Sequence, residues 1–349
     1  MSKTHWNSSR TSEMHRSFTS VFAALIAIVL LISGCGDAVT KKKKTIRLAH
    51  ALSTSHPVHI GMERMAKLVG EKSDGQLEIV IFPSQQLGSE RETLELLQIG
   101  SIGMTKVSSA ALENFVPELR VYSLPYLFQN DEHVLEVLNG EIGRELLLAG
   151  EDYWLRGLTY YDAGYRSFYT VNKPVESPED LQGQKIRVME SQMSVNMVRE
   201  LGGSPTPISW GELYTALQQG VVDGAENNPP SFLASRHYEV AKYYSLDEHL
   251  MLPDLLLIST LQWNNLSEQE QQWVQESADS SAAYQRQVWA EAEEEAMEIV
   301  QEAGVEVIYP DKEPFIEMTR PIYDSFKESE PEFYNLIQRI KDANPKQES

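Results

Sequence analysis

Residues 177–188, SPEDLQGQKIRV, combine the two local patterns that recur along the whole chain. Ser177 is a good helix cap, Pro178 suits the first helical position, and Asp180 places an acid in the first turn. The run Lys185–Val188 that follows is short and typical of a β-strand. Helix starts that alternate with short strands are the hallmark of an α/β fold.

Four other β-rich runs lie outward from this segment and alternate with amphipathic helical stretches. They are Thr45–Ala49, Leu77–Phe82, Gly157–Tyr161 and Val305–Tyr309. The alternation predicts an α/β protein with mostly parallel sheets.

One helix is predicted to be unusually long. From Leu266 to Ala303 neither glycine nor proline interrupts a helix-compatible sequence, and Ser267 is its expected cap. At 1.5 Å per residue this helix would reach on the order of 50 Å, which is longer than one lobe is wide. It is therefore expected to bridge two lobes.

The N-terminal stretch is expected to direct export. Three basic residues precede an apolar run over 21–32, which ends in Ser33, Gly34 and Cys35. The run is shorter than the roughly 20 residues that span a bilayer, so residues 1–34 are interpreted as a signal peptide. Residues 35–44 would then form a tether.

Cys35 is the only cysteine of the 349 residues, which excludes an intramolecular disulfide and a sulfur-rich metal site. The stretch from Ile32 to Cys35 resembles the bacterial lipobox, which implies that Cys35 carries lipid and anchors the mature protein to a membrane. The alternative is an ordinary signal peptide with a cysteine there by chance.

The chain is strongly acidic. Its net charge is -21, and it becomes -23 once residues 1–34, with three basic residues and one acid, are removed. Such acidity argues against nucleic acid as a partner. A site for an anion would have to be a local basic island. About 310 residues remain, more than one hydrophobic core usually organises, so two lobes are expected.

Three blocks of sequence carry a resemblance to a known family. Gly164–Thr170, Pro178–Val188 and the stretch from Tyr214 to Asn228 are similar to the DctP-type substrate-binding proteins of TRAP transporters. The resemblance implies a two-lobe periplasmic binding protein fold of type II-like architecture, with hinged lobes and the long helix spanning both. We assign residues 45–163 with 250–291 to lobe I, and residues 164–249 with 292–345 to lobe II.

Arg187 is the main candidate for ligand binding. It lies in a strand-like run after a helix start, where a side chain can project into a cleft. Its guanidinium matches both oxygens of a carboxylate and stays charged. The resemblance implies that Arg187 forms a salt bridge with the ligand carboxylate and that Arg166 assists. The alternative is that both arginines form surface ion pairs.

Asn227 follows the turn at Asp223 and Gly224, and the resemblance implies that it also contacts the ligand. Many relatives have glutamine before the glutamate and asparagine, whereas this chain has Ala225 before Glu226. With Ala225 at this position, the segment resembles the branch of the family associated with hexuronates. Glu226 is included among the predicted ligand contacts.

Three more ligand contacts are predicted. The resemblance implies contacts from His56 and Glu90, and Trp210 can offer a flat apolar wall to a sugar ring. Alternatively, Glu90 is a first-turn helix acid, and Trp210 belongs to the core. No metal or cofactor is expected.

The function implied is capture of a sugar acid and its delivery to the two TRAP membrane subunits, by a monomeric, membrane-anchored periplasmic lipoprotein. The alternatives are a C4-dicarboxylate binder, a subunit that feeds a membrane sensor, and an enzyme acting on a uronide through Glu226 and Glu90. No nucleophile or phosphate-binding motif supports an enzyme.

Overall fold

Eleven strands and twelve α-helices alternate along residues 43–343, the part of the chain that this computed structural model describes. The strands β1 to β11 are Lys44–Ala49, Leu77–Phe82, Met104–Ser108, Leu155–Tyr161, Tyr165–Thr170, Lys185–Val188, Ser204–Pro207, Gly224–Asn227, Tyr243–Met251, Asp254–Ser259 and Glu306–Ile308. The helices α1 to α12 are Pro57–Lys72, Glu90–Gln98, Ser109–Leu112, Asp131–Asn139, Glu141–Leu148, Gln192–Glu200, Leu213–Gln218, Pro229–Ala234, Thr260–Asn264, Glu268–Glu302, Glu313–Ser329 and Pro331–Asp342.

The strands form two sheets. Sheet A has the order β2-β1-β3-β10-β4, and sheet B has the order β11-β9-β5-β8-β6-β7. All five predicted β-rich runs are strands, and their ends lie within two residues of the predicted ones. The α/β class is confirmed.

Both sheets are mixed, and the prediction of mostly parallel sheets holds for nine of the eleven described strands, because each sheet contains one antiparallel strand. In sheet A, β10 runs antiparallel to β3 and β4, and in sheet B, β5 runs antiparallel to β8 and β9. The reason lies in two short crossings, residues 162–164 between β4 and β5 and residues 252–253 between β9 and β10. A strand that passes straight from one sheet into the other has no crossover helix to reverse its direction.

The long helix is confirmed. Helix α10 runs from Glu268 to Glu302, and a capping box between Ser267 and Glu270 begins it. It packs against α1 and β4 beside sheet A and against α8 beside sheet B, so it spans both sides of the fold. Its buried residues include Val274 near its start and Val300 near its end, which lie in different apolar clusters.

The predicted signal peptide, Cys35 and the tether up to residue 42 lie outside the described residues. Within residues 43–343, none of the helices has the length and apolarity needed to cross a membrane.

Candidate functional site

A cavity of about 720 Å³, partly open to solvent, lies between the two sheets. One wall belongs to the sheet A side and the other to the sheet B side. Six of the seven predicted ligand contacts line it: His56, Glu90, Arg166, Arg187, Trp210 and Asn227. The first two come from the sheet A side and the other four from the sheet B side.

Arg187 is a buried cation without an acidic partner. It lies on β6 and is 2% exposed. Its Nε–H donates to the carbonyl oxygen of Ile208 at 2.8 Å, while Nη1 is buried and has no hydrogen-bond partner within residues 43–343. Burial lowers the pKa of Arg187, although the Glu226 carboxylate opposes this effect. Arginine stays charged nonetheless, so this wall presents an unpaired positive charge to the cavity.

Arg166 has a different environment, because its charge is already neutralised. Its guanidinium binds the Glu226 side chain at both oxygens, with Nη2 to Oε1 at 3.0 Å, and donates from Nη1 to Oδ1 of Asn227 at 2.7 Å. Burial alone would raise the pKa of Glu226, but Arg166 and His249 lower it to about 2. The pair is therefore ionised and closed on itself.

The assignment of Glu226 as a ligand contact is corrected by this geometry. Glu226 is fully buried and is not among the residues that line the cavity. It lies behind Arg166, where both of its carboxylate oxygens are used. The neighbouring residue along β8, Asn227, points the other way and does line the cavity, because successive side chains of a strand alternate between its faces.

Two charged residues missed in the sequence extend this pair behind the cavity wall. Nδ1 of His249 lies 2.7 Å from Oδ2 of Asp247, and its Nε2 lies 3.7 Å from Oε2 of Glu226. Burial alone would lower the pKa of His249, but Asp247 and Glu226 raise it to about 9. Arg166, Glu226, His249 and Asp247 thus alternate in sign and leave Arg187 as the uncompensated charge.

Asn227 and Trp210 flank Arg187 in the sheet B wall. Oδ1 of Asn227 accepts from Arg166 and from the backbone N–H of Asn228, while its Nδ2 donates to no residue in the described part of the chain. Trp210 is half-buried, and its ring centroid lies 5.8 Å from the guanidinium carbon of Arg187. The wall therefore offers a free amide donor and an indole surface beside the cation.

The sheet A wall contains an acidic pole, formed by Glu90, Lys106 and Asp254. Nζ of Lys106 lies 2.9 Å from Oδ2 of Asp254 and 3.5 Å from Oε1 of Glu90. The backbone N–H of Ser108 also donates to Oε1 of Glu90, at 3.1 Å. Burial raises the pKa of Glu90, with Lys106 opposing it. A lysine inside the otherwise uncharged strand β3 was the signal in the sequence that could have revealed this pole.

The position of Glu90 is compatible with both roles considered for it, a first-turn helix acid and a ligand contact. It is the first residue of α2, where a carboxylate stabilises the helix dipole, and it also lines the cavity. The capping box of α2 is formed by Ser89 and Glu92. The helix start therefore has its own cap, and the Glu90 side chain is available to the cavity.

His56 connects the two walls. Its Nδ1 accepts the backbone N–H of Val58 at the start of α1, so the ring proton is on Nε2, which donates to Oγ of Ser231 at 3.1 Å. Burial lowers the pKa of His56 to about 3, with Lys106 adding to the effect. His56 is therefore neutral. Within the described ranges, no cluster of three or more metal-ligating side chains occurs.

Two mixed sheets are joined by short crossings, and the cavity between them contains Arg187 without an acidic partner among residues 43–343, an arrangement typical of two-lobe solute-binding proteins. Residues 48–329 match the DctP family, described as bacterial extracellular solute-binding protein, family 7. The chain belongs to this family, whose members are extracytoplasmic solute-binding proteins.

Solved structures of family relatives support the assignment. A TRAP periplasmic solute-binding protein of Xanthobacter autotrophicus Py2, with bound β-D-galacturonate, is 40% identical, has a TM-score of 0.82, and the match covers 85% of this chain and 99% of that one. The Roseobacter denitrificans protein with bound β-D-glucuronate is 35% identical, with a TM-score of 0.83 and coverage of 85% and 99%. A solute-binding protein of Chromohalobacter salexigens is 35% identical over 322 residues, 92% of this chain and 95% of its own length.

Proposed function

We propose that this chain captures a hexuronate of the D-glucuronate or D-galacturonate type and delivers it, chemically unchanged, to the membrane subunits of a TRAP transporter. The observation that carries the proposal is the Arg187 guanidinium, which is 2% exposed and has no counter-ion among the described residues. A buried charge without a partner costs several kcal/mol, so the free protein holds a cation that a ligand carboxylate would neutralise. The ligands bound to two structural relatives, β-D-galacturonate and β-D-glucuronate, each have such a carboxylate.

The rest of the cavity suits a sugar. Nδ2 of Asn227 would donate to the bound acid, and the Trp210 indole would cover the less polar face of a ring. On the opposite wall, the carboxylates of Glu90 and Asp254 would accept hydrogen bonds from hydroxyl groups. Buried hydroxyls left unpaired would each cost about 1 to 3 kcal/mol, so these acceptors favour a polyhydroxy acid over a plain one.

Capture would work by closure of two lobes. We propose that the lobe around sheet A moves against the lobe around sheet B, bending at the two crossings, 162–164 and 252–253; this moves one predicted lobe boundary from residue 250 to the end of β9. A ligand held by Arg187 on one wall and Glu90 on the other binds the closed form better than the open one. It would therefore shift the population towards the closed form, which the membrane subunits would recognise.

A lipid on Cys35 would keep this capture next to the membrane. The support is the short apolar run followed by Ser33, Gly34 and Cys35. Delivery to the membrane subunits would then take place within the reach of a tether between Cys35 and strand β1.

Calorimetry with the fragment that starts at residue 43 tests the proposed function. The wild type is expected to bind D-glucuronate or D-galacturonate in the micromolar to nanomolar range, about -8 to -12 kcal/mol, and to bind succinate much more weakly. Arg187→Ala should weaken uronate binding by about 2 to 5 kcal/mol, because the ligand carboxylate loses its buried partner.

Arg320→Ala is the control, since Arg320 is exposed, with 62% of its side chain accessible. It should bind like the wild type. Succinate as the tightest ligand would overturn the hexuronate assignment, and unchanged uronate affinity in Arg187→Ala would remove the clamp.

A further inference from the structure

The cavity has two unlike ends, and the sheet A end has an excess of negative charge. In the acidic pole two carboxylates share one ammonium, since Lys106 is 2% exposed and binds both Asp254 and Glu90. Burial alone would lower the pKa of Lys106, but Asp254 and Glu90 raise it, so Lys106 remains charged. Burial raises the pKa of Glu90, and Lys106 and the Ser108 N–H oppose this shift. With Glu90 ionised, two carboxylates face one ammonium, which leaves one negative charge at this pole without a compensating positive charge among residues 43–343.

The two histidines nearest the pole do not supply the missing positive charge. Burial, with Lys106 next in importance, lowers the pKa of His50 to about 2 and that of His56 to about 3. Both rings are neutral at neutral pH. Their hydrogen bonds are made elsewhere, from His50 to His59 at 2.9 Å and from His56 to Ser231 at 3.1 Å.

Two carboxylate oxygens of the pole remain open as acceptors. Oε1 of Glu90 and Oδ2 of Asp254 are used by Lys106, whereas Oε2 and Oδ1 accept no hydrogen bond from residues 43–343. Both residues line the cavity. An ionised carboxylate only accepts hydrogen bonds. A ligand group at this end must therefore bring its own proton, as a hydroxyl does and a second carboxylate does not.

We propose that Glu90, Asp254 and Lys106 act as a charge filter, which admits acids with a single carboxylate and a hydroxyl-bearing far end and rejects acids with a carboxylate at both ends. The inference rests on the proposed function, because it takes the first carboxylate to lie at Arg187. Like charges brought together in an interface cost several kcal/mol, which corresponds to a large difference in affinity between the two ligand classes.

A matched pair of ligands measures the filter directly. D-galactonate and D-galactarate have the same open six-carbon chain and differ only at one end, where a hydroxymethyl group is replaced by a carboxylate. In calorimetry the wild type should bind galactarate on the order of 100-fold more weakly than galactonate. D-galacturonate, measured in parallel, reports whether the site works at all.

Two isosteric variants assign the effect to the pole. Glu90→Gln and Asp254→Asn each remove one negative charge, and each should reduce the galactonate preference by about 10-fold, since each removes part of the like-charge repulsion. Glu95→Gln is the control. Glu95 lies on the same helix α2 with 54% of its side chain exposed, and its removal should leave the preference unchanged.

The outcomes separate the two proposals. If the wild type fails to bind galacturonate, the proposed function falls. If it binds galacturonate but takes galactarate as tightly as galactonate, the charge filter alone is overturned. A preference that survives in both variants, with folding verified by circular dichroism, would also overturn it, and the wild-type ratio remains a test if either variant does not fold.

Discussion

Arg166 and Arg187 show how far two arginines of similar burial can differ. They are 5% and 2% exposed, and both line the cavity. Arg166 is bound by Glu226, whereas the hydrogen bond that Arg187 makes within residues 43–343 goes to a carbonyl oxygen. We therefore expect Arg187 rather than Arg166 to neutralise a ligand carboxylate, with Arg166 and its partners as a neutral support behind it.

The supporting network makes stability depend on pH through His249. Its pKa in the folded protein is about 9, above the ordinary value of 6.5. Protonated His249 therefore contributes stability that is fully present below pH 6.5 and is lost as the pH rises through 9. In urea unfolding the wild type should lose on the order of 3 kcal/mol between these values. His249→Gln should show a smaller loss over the same window, and parallel curves for the two proteins would contradict the network.

Residues that line the cavity could be predicted from motifs in the sequence, whereas the ion pairs around them could not. Arg187, Asn227 and Trp210 were identified from their local sequence and do line the cavity. Lys106 and Asp254 are 148 positions apart, and His249 meets Glu226 only through the pairing of β9 with β5 and of β5 with β8. An ion pair between distant segments depends on sheet order, which no local pattern encodes.

At the scale of elements, helix α1 and helix α10 are in unusually close contact. A Cβ at Gly61 would lie 2.7 Å from Cβ of Gln285, so only glycine fits there. Gln285 in turn binds the crossing next to it, donating from Nε2 to the carbonyl of Asp162 and accepting its N–H at Oε1, each at 2.9 Å. The helix contact thus fixes the side chain that holds one crossing.

Two alanine substitutions in α1 should have opposite effects on the free energy of unfolding. Gly61→Ala should cost on the order of 1 to 2 kcal/mol, because overpacking against Gln285 exceeds the gain in helix propensity. Gly70→Ala meets no atom within 4 Å and should stabilise by about 0.5 to 1 kcal/mol. Urea unfolding measures both. Stabilisation by Gly61→Ala as well would show that the helices are not tightly packed there.

The elements and the mostly parallel direction of the strands were predicted, whereas the two antiparallel strands, β5 and β10, were not. Leu77–Phe82 and Lys185–Val188 have the predicted bounds, and the long helix has its predicted cap at Ser267. Composition, spacing and capping residues are local and can be recognised without the fold. Strand β10 runs antiparallel because it enters sheet A directly from sheet B, and its sequence, fully buried and apolar over residues 255–258, fits either direction.

For the whole molecule, the net charge is -21, and the positive charge of Arg187 on the cavity wall is a local exception to it. The protein would repel a distant anion, so we expect the attraction to come from Arg187 at short range. Binding should depend on contact at that guanidinium rather than on long-range steering, which is also weakened by salt.

Anchoring by Cys35 is testable in cells. Cys35→Ser should move the protein from the membrane pellet to the soluble fraction, because a serine cannot receive the thioether-linked lipid. A high-salt wash serves as the control, since it would release a protein held only by the basic residues 41–44 and not one held by lipid. Equal sedimentation of wild type and variant would argue against the anchor.

The two crossings lie side by side, because β4 pairs with β10 before one crossing and β5 pairs with β9 beyond it. The two crossings therefore form a pair of short parallel segments that join the two sides of the molecule. Bending both segments together stretches neither of them, whereas sliding or twisting one side against the other would stretch one segment and is also opposed by helix α10, which packs on both sides. We therefore expect opening and closing to follow a single path. The entrance of the empty cavity would then always open to the same width, and a sugar acid would always enter from the same direction.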